Sequence, residues 1–361
     1  MPALFAFATF APLVPLILGL TLGGPWVWIA VLSMTLLVGA LDLLVRVTLP
    51  NQPPEVEFPA GDALSVLIGV AQLGLIPLAV TSLASPEHGT VAKLALLYTA
   101  ALWLGQVGNS NAHELIHRPA RHLRRLGTLL FVTVLYGHHA SAHPKVHHTH
   151  VATHGDPATA RMGEGFYAYM LRSWIGSFRA GHRAERRLLQ ARYGTAWRRH
   201  DPYPAYIGGG LLCLGIAGLL AGGAGMAWYL ALALLSQVQL LLSDYVQHYG
   251  LERRRLPNGR IEPVGAAHSW NAPHWYSGAM MLQAPRHSAH HTRPSEPFHH
   301  LDLPPANEAP RLPSSLPIMA GIALFPHLWR RVMDRRARRW RHSPTPDGPA
   351  GVDMAGSGHV A

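Results

Sequence analysis

The chain has 361 residues, of which 49% are hydrophobic and only 14% charged, and it carries a formal net charge of +11. That is too little charge for an ordinary water-soluble protein of this length, and it leaves room for several membrane passes. The positive excess would also suit a nucleic-acid binder, but the arginines cluster beside apolar runs, where topology and anionic headgroups account for them, so no nucleic acid partner is expected.

In chain order, Leu4 to Leu22 has no charged residue and Trp26 to Val45 has one acid, Asp42; each can cross about 30 Å of hydrocarbon. A cleaved leader would need a positive start, and no Lys or Arg precedes Arg46, so the first run is expected to be a retained span. Leu64 to Ala84 is a third span, and Val91 to Ala112 a fourth that runs without a breaker into the motif "NAHELIHR". Ile207 to Val246 is too long for one crossing, and "GLLAGGAG" in its middle predicts a hairpin with arms at 207–221 and 226–246.

The expected fold is therefore an all-α integral membrane protein with six transmembrane helices and one histidine-rich domain over residues 1–342. Residues 343–361, rich in Pro and Gly, are expected to form a disordered tail. Arginine density in 172–199, 253–260 and 330–341 places both termini and the histidine-rich segments on the cytoplasmic side, in a bacterial-type inner membrane. The run 313–326 is too short for a span and is expected to lie at the interface or beneath the site. The lone cysteine, Cys213, excludes internal disulfides, iron–sulfur ligation and a thiolate zinc site.

Histidine carries most of the chemical information, with 24 in the chain. In "HELIH", His113 and His117 stand four apart, so one helix face presents both rings. His143 and His147 in "HPKVHH" repeat that spacing, with His148 adjacent, and His287, His290 and His291 in "HSAHH" are expected to share one face. His248 ends the last span. A catalytic zinc uses three protein ligands, whereas nine histidines suit a pair of borderline metals, and non-haem iron for dioxygen activation is the chemistry that most needs such a pair near a membrane. The rival reading is a zinc-dependent intramembrane protease using "HELIH" alone, with Glu114 as general base.

The segments "NAHELIHR", "HPKVHHTHVATHGDPATAR", "DYVQHYGL", "HSWNAPHW" and "LQAPRHSAHH", in this order, resemble the membrane alkane 1-monooxygenase family, a branch of the fatty acid desaturase and hydroxylase superfamily. The resemblance implies two non-haem iron ions held by His113, His117, His143, His147, His148, His248, His287, His290 and His291. It also implies hydroxylation of the terminal methyl of an apolar chain drawn from the lipid bilayer, with electrons from a rubredoxin served by an NADH-dependent reductase. Desaturation or hydroxylation of fatty acyl chains, and oxidation of aromatic methyl groups, are the alternatives within the superfamily.

Family members usually have carboxylates where this chain has Ala142, Gln247 and Ala289, so the groups that orient the ligand rings are open to question. Candidates for that role are Glu114, Asp156, Gln247, His139, His268 and His274; Asp156 could equally cap a following helix. His150 and His154 are reserves. Arg286 and the neighbouring arginines could form a landing site for the acidic electron donor, although a solvated interfacial face is the commoner role for any single one of them. His299 and His300 are expected outside the centre, and Trp270, Asn271 and Tyr249 have no chemical role that the sequence alone assigns.

Overall fold

The computed structural model describes residues 2–53, 55, 58 and 61–342; the expected tail at 343–361 lies outside the described residues. Four apolar stretches lead the chain: α1 (Pro2–Leu22), α2 (Pro25–Leu44), α3 (Gly61–Ala84) and α4 (Thr90–His117). They are followed by α5 (Arg121–Thr133), α6 (residues 139–150), α7 (Phe166–Tyr193) and α8 (Tyr203–His248). The remainder comprises α9 (Trp275–Met280), α10 (His287–Thr292), α11 (Leu316–Ala323) and α12 (Pro326–His342). Among the described residues there is no strand, only two isolated bridges.

Five stretches are long and apolar enough to cross a membrane: α1 to α4 and the stretch Phe166–His248, which contains α8. Their outer faces expose Phe7, Leu22, Trp28, Leu36, Val91, Leu211 and Leu219. In water such a surface would cost about 25 cal/mol per Å²; in lipid it costs nothing, and the chain is a multi-pass membrane protein. Within α8 the backbone leaves the helix at Ala221 (φ −149°, ψ 27°) and Gly222 (φ 61°, ψ −153°). Glycine alone adopts that positive φ without strain, and the chain reverses so tightly that a side chain on Gly225 would strike the Ala217 carbonyl. The turn falls within the segment expected to form it, and the outer arms run further than expected, to Tyr203 and His248.

Buried polar side chains tie these helices together. Gln72 of α3 donates to Leu130 O (3.0 Å) and Thr133 Oγ1 (3.1 Å) of α5. On α4, Asn109 donates to Ser236 O (3.1 Å) and Asn111 to Ser65 O (2.9 Å). Bonds of this kind each contribute roughly 1 kcal/mol within a membrane. Asp42, the one acid in α2, accepts the backbone N–H groups of Tyr276 and Ser277 at 3.2 Å, so it caps the first turn of α9. An acid in a span is thus explained by helix-end chemistry.

The short α11 does not cross; it buries Leu316, Met319 and Ala323 against α8. Helix α12 buries Trp329, Met333 and Ala337, with Trp329 packed on Tyr245 (5.2 Å) and Tyr249 (5.3 Å), and turns its arginines outward. Replacing Asp42 by Ala should remove the α9 cap and cost about 1 kcal/mol, read as a lower thermal midpoint in detergent; an unchanged midpoint would show that the cap contributes nothing.

Candidate metal centre

Two interruptions of α-helical geometry place the histidines. Before the first box, residues Leu104–Gly108 form a π-helical turn inside α4. A second π turn, His143–His147, lies at the centre of α6. A π turn brings residues five apart into register instead of four. His143 is therefore paired with His148, and His147 is swung to the other side.

The result is two groups, each with its candidate ligand atoms within 4.8 Å of one another: His113, His117, His143, His148 and His290, and separately His147, His248, His287 and His291. All nine histidines singled out from the sequence are present. In the first group Nε2 of His143 lies 2.7 Å from that of His113 and 3.0 Å from that of His148, which is 3.0 Å from that of His290. In the second, the His287 Nε2 lies 2.9 Å from that of His248 and 3.2 Å from that of His291. Nε2 of His117 and of His147 is buried with no hydrogen-bond partner among the described residues.

The expectation that His143 and His147 share a face is corrected by the π turn, which divides them between the groups. The last box is divided too: His290 joins the first group while His287 and His291 join the second. The α10 helix points along the boundary, so successive sides of it face different groups.

A neutral imidazole has one N–H and one lone pair. Nitrogens converging this closely cannot all be satisfied by one another, and their combined lone pairs make a site for cations. His147 shows the polarity directly: its Nδ1–H donates to Asp156 Oδ2 at 2.8 Å, which leaves the Nε2 lone pair aimed at its group. Asp156 is itself held by Thr159 Oγ1 (2.6 Å) and Ala158 N (2.9 Å). It fixes a turn rather than capping a helix, since α7 begins only at Phe166.

The other orienting candidates stand elsewhere. Glu114, one residue round the helix from His113, accepts from Phe298 N (3.3 Å) and faces Arg118 (3.6 Å). Gln247 donates to Ala284 O (3.0 Å) and accepts from Ser243 Oγ (2.8 Å). His268 uses both ring nitrogens on Gly265 N and Glu262, and the half-buried His274 lies near Asp42. The His139 ring lies against that of His143, with centres 4.8 Å apart and planes tilted by 30°, but joins neither group. His150 and His154 are exposed, and His299 stacks on Phe58. Ala142 packs closely on Gly181 of α7, where an added Cβ would lie 2.9 Å from that of Ala142.

Arg286 corrects another expectation. Instead of lying on a docking surface it is buried, donating to Asn51 Oδ1 (3.0 Å), Leu301 O (2.8 Å) and Leu49 O, and burial lowers its pKa to about 10. Three residues without an assigned role now have one. Asn271 Oδ1 accepts Ser288 N–H (3.0 Å) and so caps α10, and its Nδ2 donates to Ser288 Oγ (2.7 Å). The Tyr249 hydroxyl donates to Asp334 of α12 (2.6 Å), while Trp270 Nε1 donates to the Tyr249 carbonyl (2.9 Å).

The family model described as fatty acid desaturase matches residues 89–321, which contain both groups. The chain is 30% identical over 328 residues to alkane 1-monooxygenase 2 of Pseudomonas aeruginosa, covering 87% of this chain and 85% of the relative. The chain belongs to the fatty acid desaturase family, in its alkane 1-monooxygenase branch. Alkane 1-monooxygenase 1 of Alcanivorax borkumensis is 35% identical over 248 residues, 67% of this chain and 60% of the relative's own length. The xylene/toluene monooxygenase hydroxylase component of Pseudomonas putida is 25% identical over 348 residues, 94% of this chain and 90% of the relative.

Burial, then neighbouring rings, holds His143, His148, His287, His290 and His291 well below the ordinary histidine pKa. For His147 burial acts in the same direction, but the Asp156 carboxylate overcomes it and raises the pKa. The unfolded chain takes up protons near pH 6.5 that the five lowered rings refuse, so their contribution to stability is present above that pH and lost as pH falls. His147 has the opposite sign and is one group against five. The thermal midpoint of metal-free protein should therefore drop as pH falls from about 7.5 to 5.5; a rise over that interval would contradict neutral, buried rings.

Proposed function

We propose that the protein is a membrane di-iron monooxygenase that hydroxylates the terminal methyl of an alkane or similar apolar chain. The observation that carries this reading is the pair of all-histidine groups, one of five and one of four residues, side by side at the ends of apolar helices. His113, His117, His143, His148 and His290 would hold one iron, and His147, His248, His287 and His291 the other. Bound iron supplies the redox chemistry that acid and base groups lack for attack on an unactivated C–H bond. In the balanced reaction RH, dioxygen, two electrons and two protons give ROH and water.

The chain's own residues support such a role in three ways. Asp156 fixes the tautomer of His147. A groove of about 640 Å³ opens among α2, α4, α8 and α11, lined by Leu36, Leu43, Leu102, Leu242 and Ile318 among others, and suits an apolar chain entering from the bilayer. Gln239, which lines this groove, lies against Gly105, which itself borders a cavity lined by His113 and His287. Exposed arginines on α7 and α12, among them Arg179, Arg183, Arg335 and Arg336, suit an acidic soluble donor of the rubredoxin type, served by an NADH-dependent reductase on the cytoplasmic side.

The similarity to the Pseudomonas putida xylene/toluene component favours aromatic methyl groups as a second substrate class. The zinc protease reading gains nothing from Glu114, whose carboxylate is engaged by Phe298 and Arg118.

Detergent-purified protein should contain about two irons per chain, and with donor and reductase should place one atom of labelled dioxygen in a primary alcohol. His147→Ala and His290→Ala, one from each group, should each abolish oxygenation; full activity in either would overturn the assignment. Gly39 borders the groove with its nearest neighbour, Ile318 Cδ1, 3.9 Å from where a side chain would begin. Gly39→Leu should therefore shorten the longest chain accepted while sparing short substrates, measured by competition between alkanes of different length.

A further inference from the structure

Nine neutral imidazoles contribute no charge to the metals they would hold. Two divalent ions would bring a charge of about +4 into a poorly solvated region, where unbalanced charge is costly. Asp156 offsets part of it through His147. Neither Glu114 nor Gln247 adds an anion at the cluster, the first being turned away and the second uncharged.

One carboxylate remains unused. Asp244 lies on α8 one turn before His248, so the two share a helix face. It is 9% exposed and lines two cavities. A cavity of about 40 Å³ is lined by Asp244 together with His113, His139, His287, Ser243 and Gln247. A smaller one on its other side is bounded by His143, His147 and Asp156, and Asp244 borders both. Its charge reaches the His147 ring. Among the described residues it forms no hydrogen bond or ion pair. An ionisable group in a membrane-spanning helix is costly unless a partner or function retains it, and the ring its charge reaches, His147, already gives its Nδ1–H to Asp156.

We infer that Asp244 is the charge-balancing carboxylate of the metal centre, facing the bound dications across the cavity it shares with His113 and His287. This rests on the metal-centre reading above. It assigns Asp244 a positioning and electrostatic role, not a ligand bond. A cavity of this size also accommodates water or a diatomic molecule beside the carboxylate.

Asp244→Asn keeps the shape and removes the charge. Ferrous iron, titrated anaerobically into the full-length protein against a competing chelator, should bind about 10- to 100-fold more weakly to this variant. The thermal midpoint of the metal-free variant should stay level or rise, because an unpaired buried carboxylate has been removed. A second variant, Asp244→Asn with Gln247→Glu, restores an anion one turn away on the same cavity and should recover most of the lost affinity.

Binding by Asp244→Asn within about twofold of the unaltered protein would overturn the inference. So would a loss of affinity accompanied by a lower metal-free midpoint and not recovered by Gln247→Glu, since that pattern marks a purely structural side chain. Failure of the unaltered protein to bind iron would overturn the metal-centre reading itself, and the parallel titration separates that result from the other two.

Discussion

Nine imidazole nitrogens must be held close together, away from water and away from proton donors. Each buried polar atom left without a hydrogen bond costs on the order of 1–3 kcal/mol, so the arrangement has to be imposed by the rest of the fold. Every histidine-bearing segment is accordingly tied by buried polar contacts from another part of the chain. Asn109 fastens α4 to α8, and Asn271 caps α10. Segment α6 is fastened through Ser141 and Lys145, which both bond the buried Glu185 of α7, with Tyr206 of α8 2.9 Å from Ser141. Rings placed by such contacts are pre-organised for cations and pay little rearrangement on binding them.

Hydropathy made the spans readable because lipid-facing helices have no alternative to being apolar on the outside. The first four were anticipated to within a few residues, and the glycine run in α8 betrayed its turn. The nine clustered histidines were legible from spacing, but their division was not. It depends on π turns, and nothing in "HPKVHH" distinguishes a turn of five residues from one of four. Local sequence was also silent on long-range partners. Asp42 and the α9 cap it provides are more than 230 positions apart, and Arg286 looked like surface only because its acceptors, Leu49, Asn51 and Leu301, lie in other segments. Asp156 was legible in part: a carboxylate after a histidine box could orient a ring, and it does so for His147.

Polarity changes sharply along α4 and α8. Their outer halves face lipid with leucine and valine, whereas their last turns carry Asn109, His113, Asp244 and His248. The polar cluster thus stands at the ends of helices that also line the apolar groove. Groove and cavity come near each other where the Gln239 side chain of one lies against the Gly105 backbone of the other.

The division of the second and last boxes has a thermodynamic consequence. Residues 143–148 supply both groups from a single π turn, and α10 supplies both from a helix of six residues. Each group adds to these a helix of its own, α4 for His113 and His117 and α8 for His248. A shift of either shared segment therefore alters both groups at once, so their geometries are energetically coupled. The two groups are in this sense one device: the ligands they draw from these segments cannot be re-aimed for one without being re-aimed for the other.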